Sequence, residues 1–160
     1  MAVDIGLEAE DRASDWGDAR TTINKDNPAT VRGTITSIDV RASPGSDITG
    51  LRVGTFFLTN GNTLRCRDSE AIPGTIIGEQ NKVVTVAVEI GDYIGMYWAN
   101  GRVELDSSGF AGIWDKGGEY IDPDDETTYS FETAFGISLG GYIEEAPPPA
   151  AGRSFGFIFG

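Results

Sequence analysis

The densest run of chemistry-bearing side chains is Asp122-Pro123-Asp124-Asp125-Glu126, four carboxylates in five positions. Hard divalent cations take oxygen ligands, and a loop of this kind can gather several around Ca²⁺. Neither the spacing nor the flanking pattern is that of an EF-hand. Two readings stand: a solvated acidic turn, or a weak Ca²⁺ site built from Asp122, Asp124, Asp125 and Glu126. Carboxylates can also act as a general acid–base pair, but nothing in the sequence sets two of them face to face. Histidine is absent, which removes the commonest general base, the usual partner of a Ser or Cys nucleophile, and most zinc and copper sites. Asp106-Ser107-Ser108-Gly109 therefore reads as a turn whose side chains bond local backbone. The single cysteine, Cys66, forms no disulfide within the chain and alternates with Leu64, so a buried strand position is expected. Arg65 and Arg67 beside it would lower a thiol pKa, yet no base is present to exploit that. Gly112-Ile113-Trp114-Asp115-Lys116-Gly117-Gly118 lacks the spacing of a phosphate-binding loop. No catalytic set emerges, and the expectation is a non-enzyme without a resident cofactor.

Aromatic residues offer a second kind of chemistry. Tyr93, Tyr97, Trp98, Phe110 and Trp114 fall within 22 positions. Across residues 92–98, Tyr93, Gly95 and Tyr97 share one strand face, and Ile94, Met96 and Trp98 share the other. The second face is the better core face, so Tyr93 and Tyr97 are expected to be the exposed pair. Three uses remain open for the set: packing between sheets, a carbohydrate platform in which Tyr93, Tyr97 and Trp114 stack on sugar rings, or an interface hot spot.

The end of the chain carries the third. Glu144-Glu145-Ala146-Pro147-Pro148-Pro149-Ala150-Ala151-Gly152 precedes Ser154-Phe155-Gly156-Phe157-Ile158-Phe159. Consecutive prolines favour a stiff extended spacer, and Phe155, Phe157 and Phe159 alternate with strand periodicity, with Ile158 on the opposite side. Three fates are open: an arm that adds to a neighbour, a last strand that folds back on its own domain, or a disordered tail.

Positioning these residues calls for an all-β domain. Residues 82–90 place Val84, Val86, Val88 and Ile90 on one side, and Val83, Thr85, Ala87 and Glu89 on the other. Further strands are expected at residues 34–41, 51–58, 75–78, 93–98, 102–105, 112–115, 128–135 and 137–143. Asn60-Gly61 and Asn100-Gly101 both predict tight hairpins, because Asn-Gly supplies the positive φ values of a type I′ turn. Short strands at regular intervals indicate an antiparallel β-sandwich of jelly-roll type. The expected organisation is an extended polar N-terminal segment at 1–30 with at most a helical turn, a β-sandwich at 31–143, a Pro-rich linker at 144–152 and an aromatic strand or arm at 153–160.

Composition narrows the partners. With 160 residues the chain suits one domain, and 22 glycines, about twice the usual ~7% share, fit many turns and bulges. A formal charge of −13 with only 12 basic residues argues against nucleic acid and against anionic membrane surfaces. No apolar stretch approaches a membrane span. Met1-Ala2-Val3-Asp4-Ile5-Gly6 has neither a basic nor an apolar signal region, so synthesis in a cytoplasm without a signal peptide is expected.

Several motifs carry a resemblance: Asp4-Ile5-Gly6, Asp26-Asn27-Pro28-Ala29, Gly33-Thr34-Ile35-Thr36-Ser37, Thr55-Phe56-Phe57, Gly91-Asp92-Tyr93-Ile94-Gly95-Met96-Tyr97-Trp98, Gly101, Glu104, Asp106-Ser107-Ser108-Gly109-Phe110-Ala111-Gly112-Ile113-Trp114, Lys116 and Gly118. From about residue 3 to 125 the chain resembles a family of small uncharacterised β-sandwich proteins found in phage and environmental viral sequences. The resemblance implies a virion structural protein, a capsid decoration or a tail or fibre component, made in the host cytoplasm and carried in the particle. The expected partners are copies of itself, with a trimer favoured, other virion proteins, or a glycan. It brings no catalytic residues, and the Pro-rich spacer and aromatic segment fall outside it.

Overall fold

The computed structural model describes residues 2–148. Among these residues every regular element is a strand and no helix occurs. In chain order they are β1 (Ile5–Gly6), β2 (Ser14–Trp16), β3 (Arg20–Asn24), β4 (Gly33–Arg41), β5 (Ile48–Asn60), β6 (Thr63–Ile76) and β7 (Glu79–Val88). There follow β8 (Tyr93–Trp98), β9 (Val103–Asp106), β10 (Ile113–Gly117), β11 (Glu126–Thr128), β12 (Ser130–Glu132), β13 (Gly136–Ile137) and β14 (Leu139–Glu145). They make a four-stranded sheet β1-β14-β4-β7, a seven-stranded sheet β11-β6-β5-β8-β3-β10-β12 and a three-stranded sheet β13-β9-β2. Each named pairing is antiparallel. The protein is an all-β, sandwich-like fold.

The period-2 pattern explains the main core. Val84, Val86 and Val88 of β7, with Ile35, Ile38 and Val40 of β4, point inward and are at most 2% exposed. They meet Leu51 and Val53 of β5 and Ile94, Met96 and Trp98 of β8, all buried. Full burial of such side chains contributes roughly 1.5–3 kcal/mol each, and this layer holds the sheets together.

The seven-stranded sheet curls on itself. Its edge strands β11 and β12 are separated in the chain by Tyr129 alone, so one short stretch supplies both edges and nearly closes a barrel. Ile23, Phe56, Leu64, Cys66, Trp114, Ile121 and Tyr129 fill the interior, with Tyr93, Tyr97 and Phe131 packed against them. A small barrel of this kind is filled by side chains rather than hollow.

Residues 2–30 are extended but do not stand apart from the body. Strand β3 lies inside the seven-stranded sheet between β8 and β10, and Ile5 and Ile23 are fully buried. The stretch is polar because its polar groups find partners inside, as buried polar groups must. Asn24 Nδ2 donates to the carbonyls of Ile137 and Leu139 at 3.0 Å, and its Oδ1 accepts from Ile137 N–H at 3.0 Å.

The two Asn-Gly signals diverge. Asn60-Gly61 closes the β5–β6 hairpin, with Asn60 opposite Thr63 and Gly61 at φ 56°. Asn100-Gly101 closes none, since β8 pairs with β3 and β5 whereas β9 pairs with β13 and β2. Here the chain passes between sheets. Gly101, at φ 98°, is required because a Cβ would collide with the Asp47 carbonyl.

Strand β7 ends the four-stranded sheet, but its outward backbone is occupied. Thr85 N–H donates to Glu70 Oε1 at 2.7 Å and Ala87 N–H to Asp68 Oδ2 at 2.8 Å. The Ala87 carbonyl accepts from Thr55 Oγ1 at 2.8 Å. Such carboxylates blunt an edge that would otherwise template another strand. In the same sheet β14 stops at Glu145, level with Gly33 and Val88, and Ala146 N–H bonds the Arg32 carbonyl at 3.0 Å before Pro147 and Pro148. The expected arm at 153–160, with Phe155, Phe157, Ile158 and Phe159, lies outside the described residues, as do residues 149–152 of the expected linker.

Candidate functional site

The aromatic set is brought together, but inside the barrel. Trp114 on β10 is 2% exposed, meets Tyr93 edge-on at 4.9 Å between ring centroids, and lies 5.6 Å from Phe131. Its indole N–H donates to Asn62 Oδ1 at 3.0 Å. Tyr93 and Tyr97 are half-buried against this cluster rather than an exposed pair. The expectation failed because both faces of β8 are covered, one by the four-stranded sheet and one by the curled sheet itself. Gly95, between the two tyrosines, was the available signal. A Cβ there would stand 2.7 Å from Ile23 Cγ1 and 2.9 Å from Phe56 Cε1, a constraint that an open face would not impose. With Trp114 enclosed, a three-ring sugar platform is not presented.

Cys66 occupies the buried position expected of it, 0% exposed in the same interior. Burial, reinforced by the negative charges of Asp125 and Asp68, pushes its thiol up to about 12. The arginine effect expected from its neighbours goes elsewhere. Arg65 pairs with Glu126, and Arg67 spans Asp92 and lies 4.5 Å over the Phe57 ring.

The acidic loop 122–126 is divided among separate partners. Asp122 Oδ1 is 2.7 Å from Arg52 Nη2, and Glu126 Oε1 is 2.7 Å from Arg65 Nη2. Asp125 Oδ2 accepts from the Asp122 N–H at 3.0 Å, and Asp124 takes a left-handed conformation at φ 76°. Among the described residues no three His, Cys, Asp or Glu side chains are placed to hold a metal ion.

Carboxylates that sequence reading left unassigned act as internal fasteners. Asp115 accepts from Trp16 Nε1 at 3.0 Å, Thr22 Oγ1 at 2.7 Å and Arg20 Nη1 at 2.8 Å. Asp92, 1% exposed, takes both ends of the Arg67 guanidinium at 2.6 and 2.9 Å and the Glu89 N–H at 2.9 Å. Asp106 accepts from Ala13 N–H and from Arg12 Nη1, each at 3.0 Å. The Ala13 amide first, and then Arg12, hold its carboxyl below the usual range.

Two shallow grooves are lined mainly by apolar groups. One, about 340 Å³, lies by the first strand among Val3, Leu7, Asn27 and Phe110, where Arg12 stacks 4.9 Å from the Phe110 ring. Arg12 is already spent on Asp106, Ser138 and the Glu8 carbonyl. The other, about 290 Å³, is lined by Thr30, Val31, Arg32, Ile90, Pro147 and Pro148, where the chain leaves the sheet. Ile90 there is 67% exposed and points away from both cores. Alternation alone puts Ile90 in line with Val84, Val86 and Val88, but β7 ends at Val88 and the turn at Gly91 releases it. No protein-family model, curated protein or solved structure matches the chain.

Proposed function

We propose that the chain is a non-enzymatic structural subunit of a virus particle, assembling with its own copies or with other virion proteins. The sandwich supplies rigid surfaces, and the segment containing Phe155, Phe157 and Phe159 supplies the reach. The observation that carries this reading is the exit groove: Pro147 and Pro148 leave the sheet beside the exposed Ile90, ahead of an aromatic segment of strand periodicity. The viral context comes from the resemblance of the glycine, turn and aromatic motifs. The structural commitment of Asp92, Asp106 and Asp115, and the raised thiol of Cys66, support a role without catalysis.

The test is solution mass by light scattering, for the full chain beside one ending at Pro148, which keeps the Ala146–Arg32 bond. Each is measured with and without Ca²⁺. An oligomer that falls to monomer on truncation is the expected result. Equal monomers in all conditions overturn assembly through this segment.

A further inference from the structure

We propose that the outer face of β4 and β7 is the surface on which the aromatic segment of a second copy seats. This deepens the assembly reading and rests on it. Six outward positions, Thr34, Thr36 and Ser37 on β4 with Val83, Thr85 and Ala87 on β7, carry no charge, whereas the charges of this face, Asp39, Arg41 and Glu79, gather at its other end. Outward strand positions are where a chain with 23% charged residues would place its charges. Register sets Thr34 opposite Ala87 and Ser37 opposite Val83, so the six form one continuous patch. Val83 is 82% exposed and Ile90, just past the end of β7, is 67% exposed. On a molecule of charge −13 an uncharged patch lets a second acidic copy approach without a like charge directly opposite it.

The occupant follows from where the chain goes. Glu144 and Glu145 lie opposite Thr34 and Gly33, so the exit stands at the end of this same sheet. Twelve residues follow Pro148 (160 minus 148). Phe155, Phe157 and Phe159 repeat every second residue, about 6.5–7 Å when extended, the same repeat as Val83, Thr85 and Ala87 along β7. Arg153 precedes them as the sole basic residue of that stretch, suited to the acidic rim at Glu144. The run Pro147-Pro148-Pro149 favours a stiff extended spacer, which disfavours a turn back onto its own sheet. The contact is side chain against face. Strand addition at β7 is blocked, because Thr85 and Ala87 already donate to Glu70 and Asp68.

Full-length chains carrying Val83→Cys and Phe157→Cys are mixed and oxidised; native Cys66 is buried and does not compete. A disulfide-linked pair of the two chains is expected to form at least tenfold faster than with Ser108→Cys, an exposed control, in place of Val83→Cys. In parallel, full-length Val83→Lys, a change at a site that packs on nothing, is expected to lower the solution mass to that of the truncated chain. In a third chain carrying both Val83→Cys and Phe157→Cys, a disulfide formed only within single chains would assign the face to the chain's own segment and overturn the proposal. A Val83→Lys oligomer of unchanged mass, with truncation still dissociating it, would place the acceptor elsewhere while leaving assembly intact. A full chain that is monomeric throughout would remove the assembly reading itself.

Discussion

Replacing Gly95 by alanine decides whether the Tyr93–Tyr97 face is an interior. Gly95 lies opposite Gly54 of β5 and Ile23 of β3. An added methyl would stand 2.7 Å from Ile23 Cγ1 and 2.9 Å from both Phe56 Cε1 and the Thr22 carbonyl. Carbon contacts settle near 3.5–4.0 Å, so the overlap is about 1 Å. One of the three obstacles is backbone in a paired strand and cannot swing aside. Overpacking of this kind costs about 1–3 kcal/mol, against a gain of about 0.5–1 kcal/mol from replacing a strand glycine. The net expectation is a loss of about 1–2 kcal/mol, and at ~2–4 °C per kcal/mol for a domain of this size Tm falls by about 2–8 °C. Gly117→Ala is the matched control: it sits in β10 with nothing within 4 Å of the new methyl, so its Tm should hold or rise. Thermal melts followed by circular dichroism, with urea titration as a second measure, read both. Gly95→Ala as stable as its parent would refute the filled interior of the curled sheet.

Three further outcomes follow from titrating groups. Cys66, with its thiol pushed up to about 12 by burial, should react with a thiol reagent at pH 8 only through unfolding, its labelling midpoint in urea matching that of circular dichroism; rapid labelling of the native protein would contradict its placement. Tyr142 donates to Asp39 Oδ2 at 2.6 Å, and that bond, with burial, pushes its phenol from 10.0 up to about 12. The folded chain keeps a proton that the unfolded chain releases, so this stability is full below pH 10 and lost as pH rises toward 12. Urea midpoints between pH 9 and 11.5 should therefore fall less steeply for Tyr142→Phe than for its parent. Asp106 is held below its ordinary 3.8 by the Ala13 amide and Arg12, so its contribution is full above that value and lost as pH falls through the lower folded one. Asp106→Asn should cost about 1–2 kcal/mol at pH 7 and weaken acid sensitivity below pH 4; equal acid profiles would show that the carboxylate does not act there.

Local period and turn chemistry were readable from the residues, whereas closure was not. Alternation placed Val84, Val86 and Val88 inward, found β8 at Tyr93–Trp98, and put Ile94, Met96 and Trp98 on a core face. Nothing local states that Glu126 will face Arg65 while Ser130 faces Asp115. Those two pairings bend the sheet round and convert the Tyr93 side from surface to interior. The same limit applied to Arg20–Asn24, whose threonines and asparagine look like solvent-facing residues until Asp115 and the Ile137 and Leu139 carbonyls are brought to them. It applied to Asn100-Gly101 as well, where the turn chemistry was right but the partner strand lay in another sheet. The acidic loop was visible as a cluster, but the arginines that divide it, Arg52 and Arg65, are far away in sequence.

The seam of the barrel also sets an order of events during synthesis. Ile5–Gly6 has its partner in Leu139–Glu145, Arg20–Asn24 is enclosed by Tyr93–Trp98 and Ile113–Gly117, and residues 126–132 seal the curled sheet. As the ribosome makes about 5–20 residues per second, the earliest strands wait several seconds for segments that do not yet exist. Throughout that wait Phe56, Tyr93 and Trp114 have no lid. Distant pairing is also the slow kind. A nascent chain stopped before residue 132 is therefore an open trough of aromatic side chains, the state most in need of a chaperone, and residues 126–132 cover that trough as they emerge.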